Sequence, residues 1–242
     1  MKNVMAVLVL ATSWGSLAQP YFAATWALAP EAWTALPNRA PLVGIPVARF
    51  TPEIGGLTFS GVENEGELLG QNAYLYLDGD FFLLGIREGE WTTTLRGSRD
   101  SAELVILGPG APEALSSLAI LEALGLLPAE GLIALSQKEV PRKPPAPPKG
   151  VKLDPVLWAL VSHPDWLGFA QAQGLERIGI RVRVVAELSA PLAAAWEPYI
   201  RSSTEKLAEL LLPIPLLPVL GQDPAVKLVR PPYTPVPAGG RP

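Results

Sequence analysis

Apolar and polar positions change period several times along this chain. Between residues 72 and 86 the sequence NAYLYL-DG-DFFLLGI sets two apolar runs on either side of Asp78-Gly79. Asp-Gly between such runs predicts a β-hairpin, because a tight two-residue turn of this type needs positive φ at its centre. Both faces of the two strands are apolar, which predicts a hairpin inside its domain and not at a solvated edge. Residues 90–96 (EWTTTLR) read as a third strand beside it, with 43–50 and 57–59 as further strands. A short buried-type strand is expected at 103–107. Pro112 then opens a helix over 114–127, and 131–140 closes the module as a strand. The sum over 19–140 is α+β, a β-rich module with one packed helix.

The pattern then stops. Residues 141–150 read PRKPPAPPKG, five prolines in ten residues with no large apolar side chain. Such a stretch neither coils into a helix nor pairs as a strand, and it favours extended polyproline II at ~3.1 Å per residue. We read 141–151 as a proline-rich linker. Beyond it, 152–230 predicts a smaller α/β module. Asp154-Pro155 is a helix cap followed by proline at the first helical position. That helix runs to 161 and restarts after Pro164 as far as 174. Over 178–188, Ile180, Val182, Val184, Ala186 and Leu188 share one face of a strand, with Arg181, Arg183 and Glu187 on the other. A second helical region is expected over 191–212, split at Pro198 and restarted by the capping box Ser202-Ser203-Thr204-Glu205. A last strand falls at 225–229, and 231–242 is an extended proline-rich tail.

The start of the chain has its own layout. Lys2 supplies a positive end, residues 4–11 form an apolar run, and Ser16-Leu17-Ala18 places small residues at −3 and −1 of a cleavage site. That is the arrangement of a secretory signal peptide over 1–18. Its apolar run is too short to span a bilayer, and no later stretch reaches about 18 apolar residues without a breaker. The expectation is an exported protein, periplasmic or otherwise envelope-associated and not membrane-spanning. The alternative reading makes 1–12 the first core strand of a cytoplasmic assembly subunit.

Composition narrows the chemistry. The 242 residues carry 19 basic and 23 acidic side chains, net −4, so no basic field for nucleic acid is visible. The absence of cysteine removes disulfides, zinc fingers and thiol nucleophiles. Its 27 prolines are about twice the ordinary usage, and with abundant Ala and Leu they match a bias of proteins from hot environments. His163, the only histidine, lies in the helix-breaking sequence Ser162-His163-Pro164-Asp165, and no G-x-S-x-G elbow supplies a partner serine. Asp78 and Asp80 read as turn residues, because Phe81 and Phe82 occupy the steps a calcium loop needs. In Gly108-Pro109-Gly110-Ala111-Pro112 the third glycine of a dinucleotide loop is replaced by Glu113, whose charge repels a pyrophosphate. No catalytic residue, cofactor or metal site is read from these motifs.

Two features point to contact with a partner. Trp26 and Trp33 follow closely on the cleavage site, and aromatic side chains are enriched at interfaces. Residues 207–220 (LAELLLPIPLLPVL) combine a strongly apolar run with three prolines. That run either crosses a core irregularly or is displayed for docking. The candidate partner surface is Leu210, Leu212, Ile214, Leu216, Leu217 and Leu220 with Trp26 and Trp33. The reading that results is an exported, non-catalytic structural or interaction subunit of an envelope assembly, of the secretion, pilus or surface-layer kind. It would act through a protein partner or a second copy of itself. A carrier of a lipid or other apolar small ligand is the rival.

Overall fold

The computed structural model describes residues 6–10, 20–51, 56–60, 72–110, 112, 115–128, 132–140 and 143–232. They divide into two units. One is formed by Met1–Lys143 with His163–Asp165 and Ile178–Ile180, the other by Pro144–Ser162, Trp166–Arg177 and Arg181–Pro242. Both combine strands with helices, and the chain is α+β.

In the first unit the elements are β1 (Ala6–Leu10), β2 (Pro20–Ala27), α1 (Pro30–Arg39), β3 (Val47–Thr51), β4 (Gly56–Ser60), β5 (Ala73–Asp78), β6 (Phe81–Glu88), β7 (Trp91–Ser98), β8 (Ser101–Leu107), α2 (Ser116–Ala123) and β9 (Leu132–Glu139). Among the described residues these nine strands join one sheet in the order β1-β9-β2-β8-β7-β6-β5-β3-β4. The stretch β5 to β8 is an antiparallel meander, as tight two-residue turns dictate. Period-2 alternation sends Phe22, Leu75, Phe82, Leu84, Leu95, Leu104 and Ile106 into one core, which Leu36 of α1 and Leu121 of α2 complete. Each such side chain contributes about 1.5–3 kcal/mol by leaving water.

The hairpin at 72–86 forms, with its turn one residue later than its sequence suggests. Asp78 pairs with Phe81 in the ladder, so the central residues are Gly79 and Asp80, and Gly79 carries the positive φ of 57°. The strand expected at 43–50 is also shortened. Residues Ala40–Val43 form a 3-10 turn opened by Pro41 and stopped at Gly44, whose φ is 77°.

Two other glycines mark close approaches. A Cβ at Gly97 would stand 2.0 Å from the Ser101 carbonyl oxygen, and one at Gly85 would stand 2.3 Å from Cζ of the Tyr74 ring. The first obstacle is backbone within a hairpin, and the second is the far end of a half-buried side chain. Gly97→Ala is therefore expected to cost about 1–3 kcal/mol, and Gly85→Ala less, because the ring can swing aside. Thermal melts of the two variants check the order; equal losses would contradict it.

The second unit contains α3 (Pro155–Ser162), α4 (Trp166–Ala172), β11 (Arg181–Leu188), β12 (Ile200–Ser203), β13 (Leu207–Pro213), α5 (Leu217–Gln222) and β14 (Val226–Arg230), with β10 (Arg177–Ile178) preceding β11. Its sheet runs β10-β11-β13-β12, with β14 also paired to β11. Asp154 caps α3 through Oδ1, which accepts the Val156 amide at 2.8 Å, and Pro155 starts the helix. The strand expected over 178–188 is interrupted at Gly179 (φ 57°), which turns the chain from β10 into β11. Val182, Val184, Ala186 and Leu188 are buried on one face as the alternation predicts.

The expected helix over 191–212 is not there. Ala194–Tyr199 is a 3-10 segment, and β12 and β13 follow as an antiparallel hairpin. Thr204 is the reason the capping box fails. Its hydroxyl accepts the Leu207 amide at 3.1 Å, and its own amide donates to the Leu207 carbonyl at 2.7 Å. These bonds close a hairpin turn and start no helix. Residues 207–213 then follow a strand period, since the edge of β11 is available to pair. Residues 143–150 are exposed and in neither helix nor strand, and the Trp158 indole N–H donates to the Pro145 carbonyl.

Candidate functional site

Strand register sets Thr25, Glu103, Arg96, Leu83, Tyr76 and Ala48 in one row across the sheet of the first unit. This row lies on the face opposite the core helices. Arg96 at its centre is only 6 % exposed. Its Nε donates to Glu103 Oε2 at 2.8 Å, and its Nη1 donates to the carbonyls of His163 and Pro164 at 3.1 and 3.0 Å. A buried guanidinium costs several kcal/mol unless it is paired, and here a carboxylate and two carbonyl oxygens meet it. Tyr21 feels the same charges. Burial, and then the Glu103 carboxylate, push its phenol above the ordinary tyrosine range, with Arg96 opposing them. The surroundings of Tyr21 thus favour its neutral form.

The other face of the second sheet carries paired charges, from the partly exposed Arg183 to the buried Arg181. Arg183 lies between Glu209 at 2.8 Å and Glu176 at 2.6 Å, and these two carboxylates, Glu209 first, raise its pKa further. Arg230 bonds Glu187 at 3.0 Å, and the Arg181 guanidinium sits 5.2 Å from the Tyr199 ring centre. The charged positions of β11 thus meet partners on their own sheet and its flanking turn.

The residues singled out from sequence fall in several places. The His163 ring accepts the Asp165 amide at Nδ1 (3.0 Å), which makes it a turn residue. Asp78 is buried at the end of β5, and Asp80 pairs with Arg99 at 2.7 Å. Beside Gly108 the Trp91 ring fills the space a side chain would take, with 2.1 Å from a Cβ to the ring. Trp26 packs on the core and donates its indole N–H to the Leu126 carbonyl at 3.1 Å. Trp33 packs there too, with its ring 5.9 Å from that of Phe82.

The run 207–220 is interior. Leu210, Leu212, Ile214, Leu217 and Leu220 are all 0 % exposed, and Leu216 is half-buried. The reading of these leucines as a displayed docking surface is corrected accordingly. β13 and α5 each turn their apolar side inward; Pro213 ends β13, Pro215 lies in the short turn that follows, and Pro218 stands in the first turn of α5. What the run leaves outside is Leu207 and Val219.

The Arg96–Glu103 pair was not found by sequence reasoning, although its signal was present. Once Arg99-Asp100 is taken as a two-residue turn, counting back from Ser98 and forward from Ser101 sets Arg96 opposite Glu103.

No protein-family model, curated protein or solved structure matches this chain. Among the described residues no group of three or more acidic, histidine or cysteine side chains is placed to hold a metal ion. Every buried side-chain polar atom among them has a hydrogen-bond partner. No helix among them is long and apolar enough to cross a membrane.

Proposed function

We propose that this chain is an exported, non-catalytic protein of the cell envelope, acting as a structural or interaction subunit of an assembly. The observation that carries the reading is the order of the first twenty residues. Lys2, the apolar run 4–11 and the small residues Ser16 and Ala18 come first, and β2 begins immediately afterwards at Pro20. A cut after Ala18 removes no residue of β2 or of any later strand. Two hydrophobic cores and internally paired buried charges support a role in which the folds serve as rigid parts. In an exporting host the mature protein is expected to begin at Gln19, which N-terminal sequencing reads directly. Recovery of intact Met1 from that host would defeat the proposal.

A second reading has one observation in its favour. Ala6–Leu10 pairs in parallel with residues 132–136 of β9, as a first strand of a non-exported subunit would. The same sequencing experiment separates the two.

A further inference from the structure

Two different neighbours hold β9, one for each half of the strand. Its residues 136–139 pair antiparallel with residues 20–23 of β2, and its residues 132–136 pair in parallel with Ala6–Leu10. Among the described residues no other strand pairs with 132–135. Those four residues read LIAL, and Leu135, 1 % exposed, belongs to the core. If β1 is removed, this half of β9 has unpaired N–H and C=O groups along an apolar stretch of backbone. Such an edge is a template on which another strand can pair, since it offers a row of unpaired N–H and C=O groups.

We propose that residues 132–136 form a strand-docking edge. Ala6–Leu10 fills it while residues 1–18 are in place. Once residues 1–18 are removed, it takes an extended aliphatic segment of a partner protein, running parallel to β9 in the place of Ala6–Leu10. The inference rests on the processing proposed above and names the surface by which the exported chain joins its assembly.

Two observations define the occupant. The segment seated on this edge is AVLVL, five uncharged aliphatic residues, so side-chain recognition is apolar while the ladder supplies affinity. Its direction is parallel. Two copies related by a two-fold axis would pair β9 with β9 antiparallel, so the geometry favours a segment other than β9 itself.

The test vacates the edge in the full chain. Val7→Pro with Leu8→Pro removes ladder donors at two consecutive positions, so that either hydrogen-bonding parity is broken. The probe is a labelled peptide of residues 4–12 flanked by lysines, with the same two proline changes in a control peptide. The amides within 133–136 that point to the β1 edge, those of alternate residues, are expected to exchange at least tenfold faster in the variant than in the unaltered chain. The aliphatic peptide should slow them back at least tenfold, the control peptide should not, and the protein should remain a monomer. Equal exchange in both chains, or no effect of the aliphatic peptide, overturns the proposal. Protection that rises with protein concentration, with a dimer in sedimentation, overturns the partner in favour of a second copy.

If the variant does not fold, the unaltered chain can carry a protease site inserted after Ser13 and be cut once folded. Its own strand must then exchange for excess labelled peptide, and failure to exchange again overturns the proposal. A host that leaves Met1 in place defeats the processing reading alone, because peptide binding to the vacated edge is measured independently of it.

Discussion

Leu210→Asp is expected to unfold the second unit. Leu210 sits mid-strand in β13, opposite Val184 on one side and Ile200 on the other, and is 0 % exposed. A carboxylate there loses its hydration and finds no cationic partner on the apolar face it shares with Leu212. The cost of several kcal/mol is comparable with the whole stability of a small domain, about 5–15 kcal/mol. Val219→Asp, in the same apolar run but at a side chain 52 % exposed, should change stability by no more than about 0.5 kcal/mol. Circular dichroism melts and amide spectra of the two variants make the comparison. A Leu210→Asp protein with an unchanged melting curve would mean that the run is not core, and the docking reading would return.

Leu210 and Val219 belong to one apolar run whose fate depends on tertiary pairing, and the parts of the chain that were readable are those where it does not. The first unit's β5–β6 hairpin was legible, to within one residue at its turn, because Asp78-Gly79 lies between two short apolar runs, whereas the Arg99-Asp100 turn that sets the β7–β8 register was not read. The helix at 155–162 was legible for a similarly local reason, a cap residue followed by proline. The hairpin β12–β13 was not. Ser202 to Glu205 satisfies a helix-start motif, and only the presence of β11 as a pairing edge decides that Thr204 closes a turn. Both β2 and α1 were passed over because 20–39 reads first as an aromatic cluster. Its Ala29-Pro30 boundary is a usable helix start, with proline in the first turn. The strand-docking edge had no sequence signal at all, since the split of β9 between two neighbours exists only in the assembled sheet.

Arg96→Met is expected to destabilise the first unit by about 2–4 kcal/mol, most of it from groups left without a partner. The Glu103 side chain, 35 % exposed, recovers some hydration when its partner goes, whereas the His163 and Pro164 carbonyls lose a donor outright. Glu103→Leu alone should cost at least as much, because the guanidinium it abandons is the deeper member of the pair. Combining the two changes removes both charges, and the double variant should be less damaged than the two single losses predict when added. Tyr21 supplies a readout that packing damage alone would not move. Its folded-state pKa is raised, so the folded chain holds the phenolic proton more tightly than the unfolded chain. The associated stability is complete below the unfolded value near 10.0 and is lost as the pH climbs through the higher folded value. Removing Glu103 should bring the Tyr21 transition back toward the ordinary range, and removing Arg96 should drive it higher still. Tyrosinate absorbance titrations of the three variants, each set against its Tyr21→Phe counterpart, measure both shifts. Movement of the two single variants in the same direction would show that the charges of the pair do not govern Tyr21.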